Sequence, residues 1–350
     1  MEDYNTMTNN KYDVLVIGCS GMARFHINSI LQNERTNLYA VCGIDMEKLM
    51  KIKEDFKLPE VYTDYTQFLD DPKVDIVILV VPDNLHLPMT EQFLRAGKAV
   101  LCEKPFALTV EECVKMREVE KETGGRLMVG QVARSSPSFV KARELILEGR
   151  IGDIMYIESE YAHNYEVARG FKDWRVTPER HPFIGGGCHS VDMLAWLCGY
   201  PTEVMAFGNK KSLTSWPILH DSTIAAYKFA NGAIGKVFVS TGCMRQYTNR
   251  LQVWGTKGTI LADPKTGKVI LWENNEELGL TYDDDPQEIP VEIHGHNTDD
   301  ELRDFVTSLD NGTPFPVSSW QGMATVCACV AAVESARRDG EKIVIKYPAE

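Results

Sequence analysis

Apolar and polar positions in the first third of the chain follow the rhythm of alternating strands and helices. Residues 75–81 are almost unbroken aliphatic and β-branched positions, as in a strand covered on both faces. Other short apolar runs predict further strands, and the amphipathic stretches between them predict helices. The predicted strands are 13–17, 38–44, 75–81, 99–102 and 127–129. The first predicted helix ends at residue 32, and the next three span 46–56, 88–96 and 110–123. This alternation predicts a doubly wound α/β domain whose ligands bind at the carboxyl ends of the parallel strands.

The rhythm changes beyond residue 131, where strands follow one another without regular intervening helices. Residues 272–293 are acidic and lack periodicity, which is typical of a solvated hairpin or loop. The predicted strands are 155–161, 203–208, 222–229, 233–241, 249–255 and 258–262, and the predicted helices are 138–148, 189–197, 298–309 and 321–338. We therefore predict a second, α+β domain with an antiparallel sheet over residues 132–350.

Composition narrows the classes of partner and the compartment. The 37 basic and 50 acidic residues give a net charge of −13, which repels nucleic-acid phosphates and anionic headgroups, so we expect neither nucleic-acid nor membrane partners. The acidic, polar N-terminus lacks the features of a secretory signal, which favours a cytoplasmic protein. Nine scattered cysteines are typical of reduced, buried thiols, and no cysteine spacing indicates a structural zinc.

A glycine-containing turn joins the first predicted strand to the first predicted helix. It consists of Gly18, Cys19 and then Ser20, Gly21, Met22 and Ala23. In a dinucleotide fingerprint the first glycine permits the tight turn, and the last small residue lets helix and strand pack closely. The pyrophosphate then rests on the amides at the helix start. The turn predicts a dinucleotide-binding Rossmann domain over residues 1–131, and an ordinary strand-to-helix turn is the alternative.

The tip of the second strand bears on the choice of nucleotide. Asp45 is the acidic residue nearest to the position that bonds the ribose hydroxyls of NAD. No arginine follows to accept a 2′-phosphate, and Lys48 is the nearest base. The sequence favours NAD and leaves NADP open. The alternative role for Asp45 is to cap the next helix.

Two further strand ends carry residues suited to a crevice. Pro82, Asn84 and His86 lie in the segment that follows the long apolar strand, and Glu103 and Lys104 precede a proline after the next strand. The residue before a proline is held extended, so Lys104 is expected to project into the crevice. By itself, a Glu-Lys-Pro sequence is more often a surface turn.

These motifs, taken with a later Gly-Gly-Gly-Cys-His-Ser-Val-Asp segment, resemble the Gfo/Idh/MocA family, named for glucose–fructose oxidoreductase and inositol dehydrogenase. The resemblance extends over nearly the whole chain, and Glu-Lys-Pro in its context is its most specific part. It implies an NAD(P)-dependent oxidoreductase acting on sugars, cyclitols or related polyols. It also implies an open, mostly antiparallel sheet in the second domain, whose exposed face forms a homo-oligomer, a dimer or a tetramer.

The resemblance also implies roles for single residues. The family lysine falls on Lys104, which contacts the substrate hydroxyl and helps to move its proton, and the family histidine falls on His189. Members often have an acid four residues before this histidine, and here that position is Gly185. The acid three residues after it is retained as Asp192, implied to bind the substrate or orient the histidine.

The physical properties of this segment agree with those roles. His189 and Asp192 are three positions apart, which places them on one helix face. A histidine in the first turn feels the positive end of the helix, which favours the neutral imidazole as a base. The three preceding glycines allow close approach of a flat ring such as nicotinamide. The alternative for His189 alone is a capping histidine.

Weaker candidates lie elsewhere in the second domain. Trp174, Arg175 and His163 are aromatic and polar residues suited to a sugar face and its hydroxyls, or to a core with a salt-bridged arginine. His294 and His296 have the spacing of two ligands on one strand face, but no third ligand is evident, so no metal is expected.

The sequence thus predicts oxidation of a secondary hydroxyl of a sugar, glycoside or cyclitol with hydride transfer to NAD. Lys104 and His189 are the predicted catalytic residues. The predicted substrate-binding residues are Asp192, Trp174, Arg175 and His163, and the predicted cofactor-binding residues are Gly18, Ser20, Gly21, Met22, Ala23, Asp45, Pro82, Asn84, His86, Glu103 and Lys104. Two alternatives are an NAD-retaining enzyme that cleaves glycosides through transient oxidation at carbon three, and a non-catalytic dinucleotide-sensing module.

Overall fold

The computed structural model describes residues 11–167, 173–273, 286–293 and 295–350, which form two sheets flanked by helices. The strands are β1 (Tyr12–Ile17), β2 (Thr36–Cys42), β3 (Ile76–Leu79), β4 (Ala99–Glu103), β5 (Leu127–Gly130), β6 (Ile154–Ala162), β7 (Pro201–Asn209), β8 (Ser222–Phe229), β9 (Ile234–Ser240), β10 (Thr248–Gly255), β11 (Gly258–Asp263), β12 (Lys268–Glu273), β13 (Gln287–Pro290) and β14 (Ile343–Val344). The helices are α1 (Gly21–Gln32), α2 (Met46–Asp55), α3 (His86–Arg95), α4 (Val110–Thr123), α5 (Pro137–Leu147), α6 (Pro182–Gly185), α7 (Cys188–Cys198), α8 (Thr298–Asn311) and α9 (Ser319–Arg337).

The first sheet is parallel, with the strand order β2-β1-β3-β4-β5. Each residue of β3 is fully buried, as its unbroken apolar run predicts. The order reverses between β1 and β3, and ligands of such sheets bind outside the carboxyl ends of the strands at this point. The predicted doubly wound Rossmann fold is confirmed.

The second sheet has nine strands among the described residues, in the order β13-β12-β11-β10-β6-β9-β8-β7-β14. Its neighbouring strands are antiparallel except for the parallel pair β6 and β9, which confirms the mostly antiparallel prediction. Burial alternates along β8, because one face packs against helices and the other is open. Helices α7 and α9 lie on the covered face.

The C-terminal helices return to the first sheet. Helix α8 packs on α1, and Leu302, Phe305 and Val306 join the buried cluster formed by residues of β1 and β3. Helix α9 lies between β7 of the second sheet and α4 beside the first. The two sheets are therefore held together by shared helices and not by a linker alone.

Two further elements complete the second sheet. Strands β12 and β13 pair antiparallel, with Leu271 opposite Gln287, which agrees with the hairpin expected as one of two alternatives for residues 272–293. Residues 274–285 within it lie outside the described residues. Strand β14 has two residues, too few for a periodic signal, and it forms only by pairing with β7.

A buried ion pair joins the end of the first sheet to α7. Arg134 lies in a short 3-10 helix that follows β5, and its Nε and Nη2 each donate to one carboxylate oxygen of Asp192 at 2.7 Å. The Thr325 hydroxyl donates to the same carboxylate at 3.0 Å. Both charged side chains are almost wholly buried. This pair fixes α7, and with it the neighbouring His189, against the segment that follows β5 of the first sheet.

We expect Asp192→Asn to lower the free energy of unfolding by about 3–5 kcal/mol, because it leaves the buried Arg134 charge without its partner. Glu144→Gln is the control, since Glu144 pairs with Lys141 in solvent and its loss costs at most about 1 kcal/mol. Urea unfolding of the cofactor-free protein measures both values. Equal midpoints for the two variants would contradict the structural role of this pair.

Candidate active site

The turn after β1 has the geometry of a pyrophosphate site. Gly18 has φ +134°, and a Cβ at this position would overlap the carbonyl oxygen of Val80, so only glycine fits. The side chain of Ser20, the N-cap of α1, makes no capping hydrogen bond, and the first turn of α1 contains no acidic residue. Nothing lies within 4 Å of a Cβ built on Gly21. The first amides of α1 are thus available to a phosphate group.

Met22 and Ala23 differ in their surroundings. Met22 is half-buried at the start of α1. Ala23 is fully buried in the core between α1 and the first sheet. Its small side chain therefore serves the close packing of helix and strand, as the fingerprint predicts for this position.

Asp45 caps α2 at the carboxyl end of β2. Its carboxylate accepts a hydrogen bond from the Lys48 amide at 3.1 Å and pairs with the Lys48 ammonium at 2.6 Å. These contacts with Lys48 lower the pKa of Asp45, so the carboxylate is ionised at neutral pH. The capping role is present, the side chain is partly exposed, and the ribose contact stays a prediction.

The segment after β3 corrects one expectation. Pro82 is half-buried and Asn84 is exposed at the carboxyl end of β3, as a cofactor role requires. His86 is fully buried, with Nδ1 2.9 Å from the Pro105 carbonyl oxygen and Nε2 3.2 Å from the Val81 carbonyl oxygen. Both nitrogens are therefore occupied by backbone groups, and His86 joins two loops of the crevice without facing a ligand.

Glu103 organises the loop that carries Lys104. Its carboxylate lies 2.9 Å from Nε2 of His26 on α1 and accepts a hydrogen bond from the Lys104 amide at 3.2 Å. Burial raises the pKa of Glu103, but the lowering effect of His26 and Lys104 is larger. The net pKa is below the usual value, so the carboxylate stays ionised. His26 was missed by sequence reasoning, because a single histidine within a helix gives no signal.

Glu301 on α8 is a second buried carboxyl group near Glu103. Neither of its oxygens has a hydrogen-bond partner among the described residues. Burial and the charge of Glu103 hold the pKa of Glu301 well above its usual range, which favours the neutral acid.

Lys104 and the start of α7, which carries His189, both lie next to the backbone of Gly185. Lys104 follows β4 directly, and its Nζ donates to the Gly185 carbonyl oxygen at 3.5 Å. His189 is the second residue of α7. Burial and the Lys104 charge, followed by that of His296, hold the pKa of His189 well below its usual range. The structure thus brings an ammonium group beside a neutral imidazole.

The His189 ring packs on an aromatic side chain of the second sheet. Its plane stacks on Tyr161 of β6, with the ring centroids 6.2 Å apart. Its Nδ1 atom is buried and has no hydrogen-bond partner among the described residues. An unsatisfied imidazole nitrogen in a polar crevice is able to accept or donate a proton.

The glycines before His189 serve a purpose different from the predicted one. A Cβ on Gly185 would overlap the guanidinium of Arg180, and a Cβ on Gly186 would overlap the ring of Tyr161. The space beside these glycines is filled by side chains of this chain and is not left open for a nicotinamide ring. The glycines are required by internal packing.

Arg180 and Asp83 were not predicted, and they form a second buried ion pair in this region. The Arg180 Nε donates to the Asp83 carboxylate at 2.6 Å, and both residues are about nine-tenths buried or more. The Trp174 ring lies beneath Arg180 at 5.0 Å and beneath Arg175 at 4.2 Å. The pair joins residues 97 positions apart, which no local pattern reveals.

His163 belongs to an aromatic cluster next to His189. Its ring lies 6.5 Å from Tyr161, 5.6 Å from Tyr165 and 5.4 Å from Tyr247. Burial lowers the pKa of His163, so its ring is neutral at neutral pH. The cluster forms an aromatic wall on the second-sheet side of the crevice.

Asp192 does not share the surroundings of His189. Its two carboxylate oxygens bond to Arg134 and Thr325, and the side chain is fully buried. None of its oxygens is exposed for a substrate, and the alternative role expected for Asp192, orienting the histidine, stays a prediction. Asp192 therefore bonds to the segment after β5 and to α9.

The histidine pair at 294 and 296 does not form a recognisable metal site in the described part of the chain. His294 lies outside the described residues, and the exposed His296 packs on Phe25 at 4.2 Å. Among described residues no cluster of three or more metal-ligating side chains occurs.

Comparison with known proteins identifies the family. Residues 12–131 match the NAD-binding Rossmann fold of the Gfo/Idh/MocA oxidoreductases, and residues 139–261 match the C-terminal domain of the same group. The chain belongs to the Gfo/Idh/MocA family. It is accordingly an NAD(P)-dependent dehydrogenase, and NAD is the cofactor of its first domain.

Curated relatives of this dehydrogenase include enzymes named for inositol. It is 25% identical to the myo-inositol 2-dehydrogenase of Thermotoga maritima over 331 residues, covering 91% of this chain and 95% of the relative. It is 28% identical to the inositol 2-dehydrogenase of Pseudomonas fluorescens over 335 residues, covering 94% and 95%.

Solved structures share its fold. A levoglucosan dehydrogenase in complex with NADH and L-sorbose superposes with a TM-score of 0.85 at 21% identity, covering 97% of this chain and all of that one. An aldose-aldose oxidoreductase from Caulobacter crescentus superposes with a TM-score of 0.83 at 24% identity, covering 96% of this chain and all of that one.

Within the described residues, no helix has both the length and the apolar character needed to cross a bilayer.

We expect Gly18→Ala to destabilise the cofactor-free dehydrogenase by about 1–3 kcal/mol, because alanine at positive φ is strained and its Cβ overlaps Val80. Gly21→Ala has open space, so its unfolding free energy should stay within about 0.5 kcal/mol of the wild-type value. Its methyl group faces the phosphate position, and we expect at least about tenfold weaker NAD binding. Urea unfolding and calorimetric titration measure these effects, and unchanged stability of Gly18→Ala would contradict the geometry.

Proposed function

We propose that this dehydrogenase oxidises a secondary hydroxyl of a sugar, glycoside or cyclitol and transfers the hydride to NAD. The observation that carries this proposal is the meeting of Lys104 and His189 at the carboxyl edge of the first sheet. Removal of hydride from carbon requires loss of the hydroxyl proton, so a base and a cation must flank the alcohol. These two side chains supply both groups.

The cofactor residues lie along the same edge. When bound, NAD supplies the hydride acceptor. The first amides of α1 would hold its pyrophosphate, and Asp45 would bond the ribose hydroxyls. The residues proposed to form the nucleotide site are Gly18, Ser20, Gly21, Met22, Asp45, Pro82, Asn84, Glu103 and Lys104.

His189 and Lys104 divide the proton chemistry between them. The neutral imidazole accepts the hydroxyl proton as the carbon–hydrogen bond breaks. The Lys104 ammonium stabilises the negative charge that develops on the substrate oxygen. Because Lys104 also keeps His189 neutral by its charge, one cation serves both purposes.

The substrate ring is proposed to rest on the aromatic side chains around His189. Trp174, Arg175 and His163 would contact it; Arg175 lies on the Trp174 ring, His163 lies beside Tyr161, and Tyr161 stacks on the imidazole. Rings of this kind cover the apolar face of a sugar, and the polar groups bond its hydroxyls. The relatives named inositol 2-dehydrogenases make cyclitols good first compounds to test.

We also propose that residues 1–131 bind the nucleotide, that residues 132–350 bind substrate, and that the open face of the second sheet forms a homo-oligomer. Met205, Phe207 and Ile224 are exposed on this face, and Phe207 and Ile224 are directly paired. Exposed apolar side chains grouped on one sheet face are typical of an interface. The nine cysteines are unpaired, seven of them buried, which supports the cytoplasmic expectation.

We expect Lys104→Met and His189→Gln each to lower kcat for polyol oxidation by about a hundredfold to ten-thousandfold, because each removes a group that acts on the hydroxyl. NAD reduction is measured by absorbance with cyclitols, sugars and methyl glycosides. Mass spectrometry of the product separates a stable ketone from a released aglycone, which would indicate glycoside cleavage instead. Lys115→Met, at an exposed lysine of α4, is the control and should retain wild-type rates.

The pH profile gives an independent check of the His189 role. In the wild-type enzyme kcat/KM should stay level through the ordinary histidine range near about 6.5 and fall only at lower pH, where the imidazole becomes protonated. This acid limb should be absent from the residual activity of His189→Gln. Wild-type rates in Lys104→Met or in His189→Gln would contradict the proposed catalytic roles.

We expect Phe207→Glu to dissociate the oligomer, because burying a carboxylate in an apolar interface is costly. Leu147→Glu is the matched control. Leu147 is an exposed leucine at the end of α5, and it is not on the open face of the second sheet. Size-exclusion chromatography with light scattering gives the masses. A wild-type monomer, or equal masses for both variants, would contradict the proposed interface.

A further inference from the structure

The segment that leads into α8 is fastened to α1. The His296 ring packs on the Phe25 ring, with the two centroids 4.2 Å apart. One helical turn later, the Ser29 hydroxyl lies 2.8 Å from the Thr298 hydroxyl and is bonded to the Asp299 carboxylate. These contacts fix the position of His296 relative to α1.

This position is close to the proposed pyrophosphate site. Gly21, the first residue of α1, and Phe25 are four positions apart, so they lie on one face of the helix. They are about 6 Å apart along the helix axis. Nothing lies within 4 Å of a Cβ built on Gly21, so this face is open at its start. His296 therefore lies about one helical turn from the amides that would hold the pyrophosphate.

A short path of contacts also connects His296 to Lys104. Phe25 is followed in α1 by His26, whose Nε2 is 2.9 Å from the Glu103 carboxylate. Glu103 in turn accepts a hydrogen bond from the Lys104 amide at 3.2 Å. His296 therefore lies near the strand end that carries the proposed catalytic lysine.

The electrostatic surroundings of His296 agree with this position. Burial lowers the pKa of His296, the Glu103 carboxylate opposes this effect, and the Lys104 ammonium and the His26 imidazole add to it. A charge on His296 is in turn one of the causes that hold the pKa of His189 low. Because its own pKa is lowered, the His296 imidazole is neutral at neutral pH.

The His296 side chain is nevertheless exposed, whereas His26 and His189 are buried. A ring that is close to several protein groups and also open to solvent is typical of the mouth of a cleft. His296 is therefore able to contact a bound ligand directly. A neutral imidazole presents one donor and one acceptor, which suits a hydroxyl group, whereas a diphosphate favours a charged donor.

We propose that His296 is a cofactor-binding residue whose imidazole hydrogen-bonds the ribose on the nicotinamide side of NAD. The pyrophosphate is proposed to rest on the start of α1, and the nicotinamide ring must reach Lys104 and His189. The nicotinamide-side ribose joins these two parts of the cofactor, so it is the part closest to His296. The inference rests on the proposed position of the nucleotide and goes beyond it, because it adds a residue from outside residues 1–131.

Calorimetry with fragments of the cofactor tests this assignment without any substrate. ADP lacks the nicotinamide-side ribose, ADP-ribose contains it, and NAD and NADH are the complete dinucleotides. We expect the wild-type protein to bind ADP-ribose more tightly than ADP. His296→Ala should weaken binding of ADP-ribose, NAD and NADH by about threefold to tenfold, as expected for one hydrogen bond, and change ADP binding by less than about twofold.

A second variant separates hydrogen bonding from packing. His296→Phe keeps an aromatic ring against Phe25 and removes both ring nitrogens. It should therefore lose as much affinity for ADP-ribose as His296→Ala does. Wild-type affinity for ADP-ribose in His296→Phe would overturn the proposed hydrogen bond.

Ile293→Ala is the matched control. Ile293 is an exposed side chain three residues before His296, and this variant should bind all four nucleotides with wild-type affinity. Equal losses in Ile293→Ala and His296→Ala would contradict a specific contact of His296, because they would reflect disturbance of the segment as a whole.

The possible failures are distinguishable. A wild-type protein that binds none of the four nucleotides would contradict the proposed nucleotide site as well. If the wild-type protein binds them but gains nothing from the second ribose, or if His296→Ala weakens ADP as much as ADP-ribose, only the ribose contact is overturned. Unchanged nucleotide affinities together with a raised KM for the polyol would also overturn it, and would assign His296 to the substrate.

Discussion

The need to pair charges that are buried at the junction of the two sheets governs the candidate site. Arg180 is bonded to Asp83, which follows β3, and Asp192 on α7 is bonded to Arg134, which follows β5. An unpaired charge in such surroundings is strongly destabilising, so each pair permits only a narrow range of positions for its two segments. Together the pairs hold the segment 180–192 against the carboxyl edge of the first sheet. His189 lies between them and thereby faces Lys104.

This arrangement also sets the protonation states of the site. Burial disfavours the protonated form of the His189 imidazole, and the positive charge of Lys104 disfavours it further. His189 is therefore neutral. On the nucleotide side, Glu103 remains ionised through its contacts with His26 and the Lys104 amide, whereas the nearby Glu301 is held neutral. Titratable groups of one kind thus adopt different states within a short distance, which is a common property of catalytic sites.

The second sheet serves the site with one face and leaves the other open. Tyr161 of β6 packs beside Gly186 and stacks on His189, so the covered face forms one wall of the crevice. On the open face Glu158 pairs with Lys236, and apolar side chains including Phe207 lie on neighbouring strands. An interface on the open face would stiffen the strands that support the crevice wall, because both faces belong to the same backbone.

The sequence by itself determined the alternation of the first sheet, the change of rhythm after residue 131 and the glycine turn at Gly18, and it singled out Lys104 and His189 as candidates. These features are local, since periodicity, turn chemistry and short motifs act over a few positions. Only the tertiary structure decided that Asp192 bonds to Arg134 at the end of the first sheet, that His86 faces backbone carbonyls, and that Arg180 fills the space beside the glycines. Their partners lie far away along the chain, and which distant groups meet depends on how the sheets and helices pack.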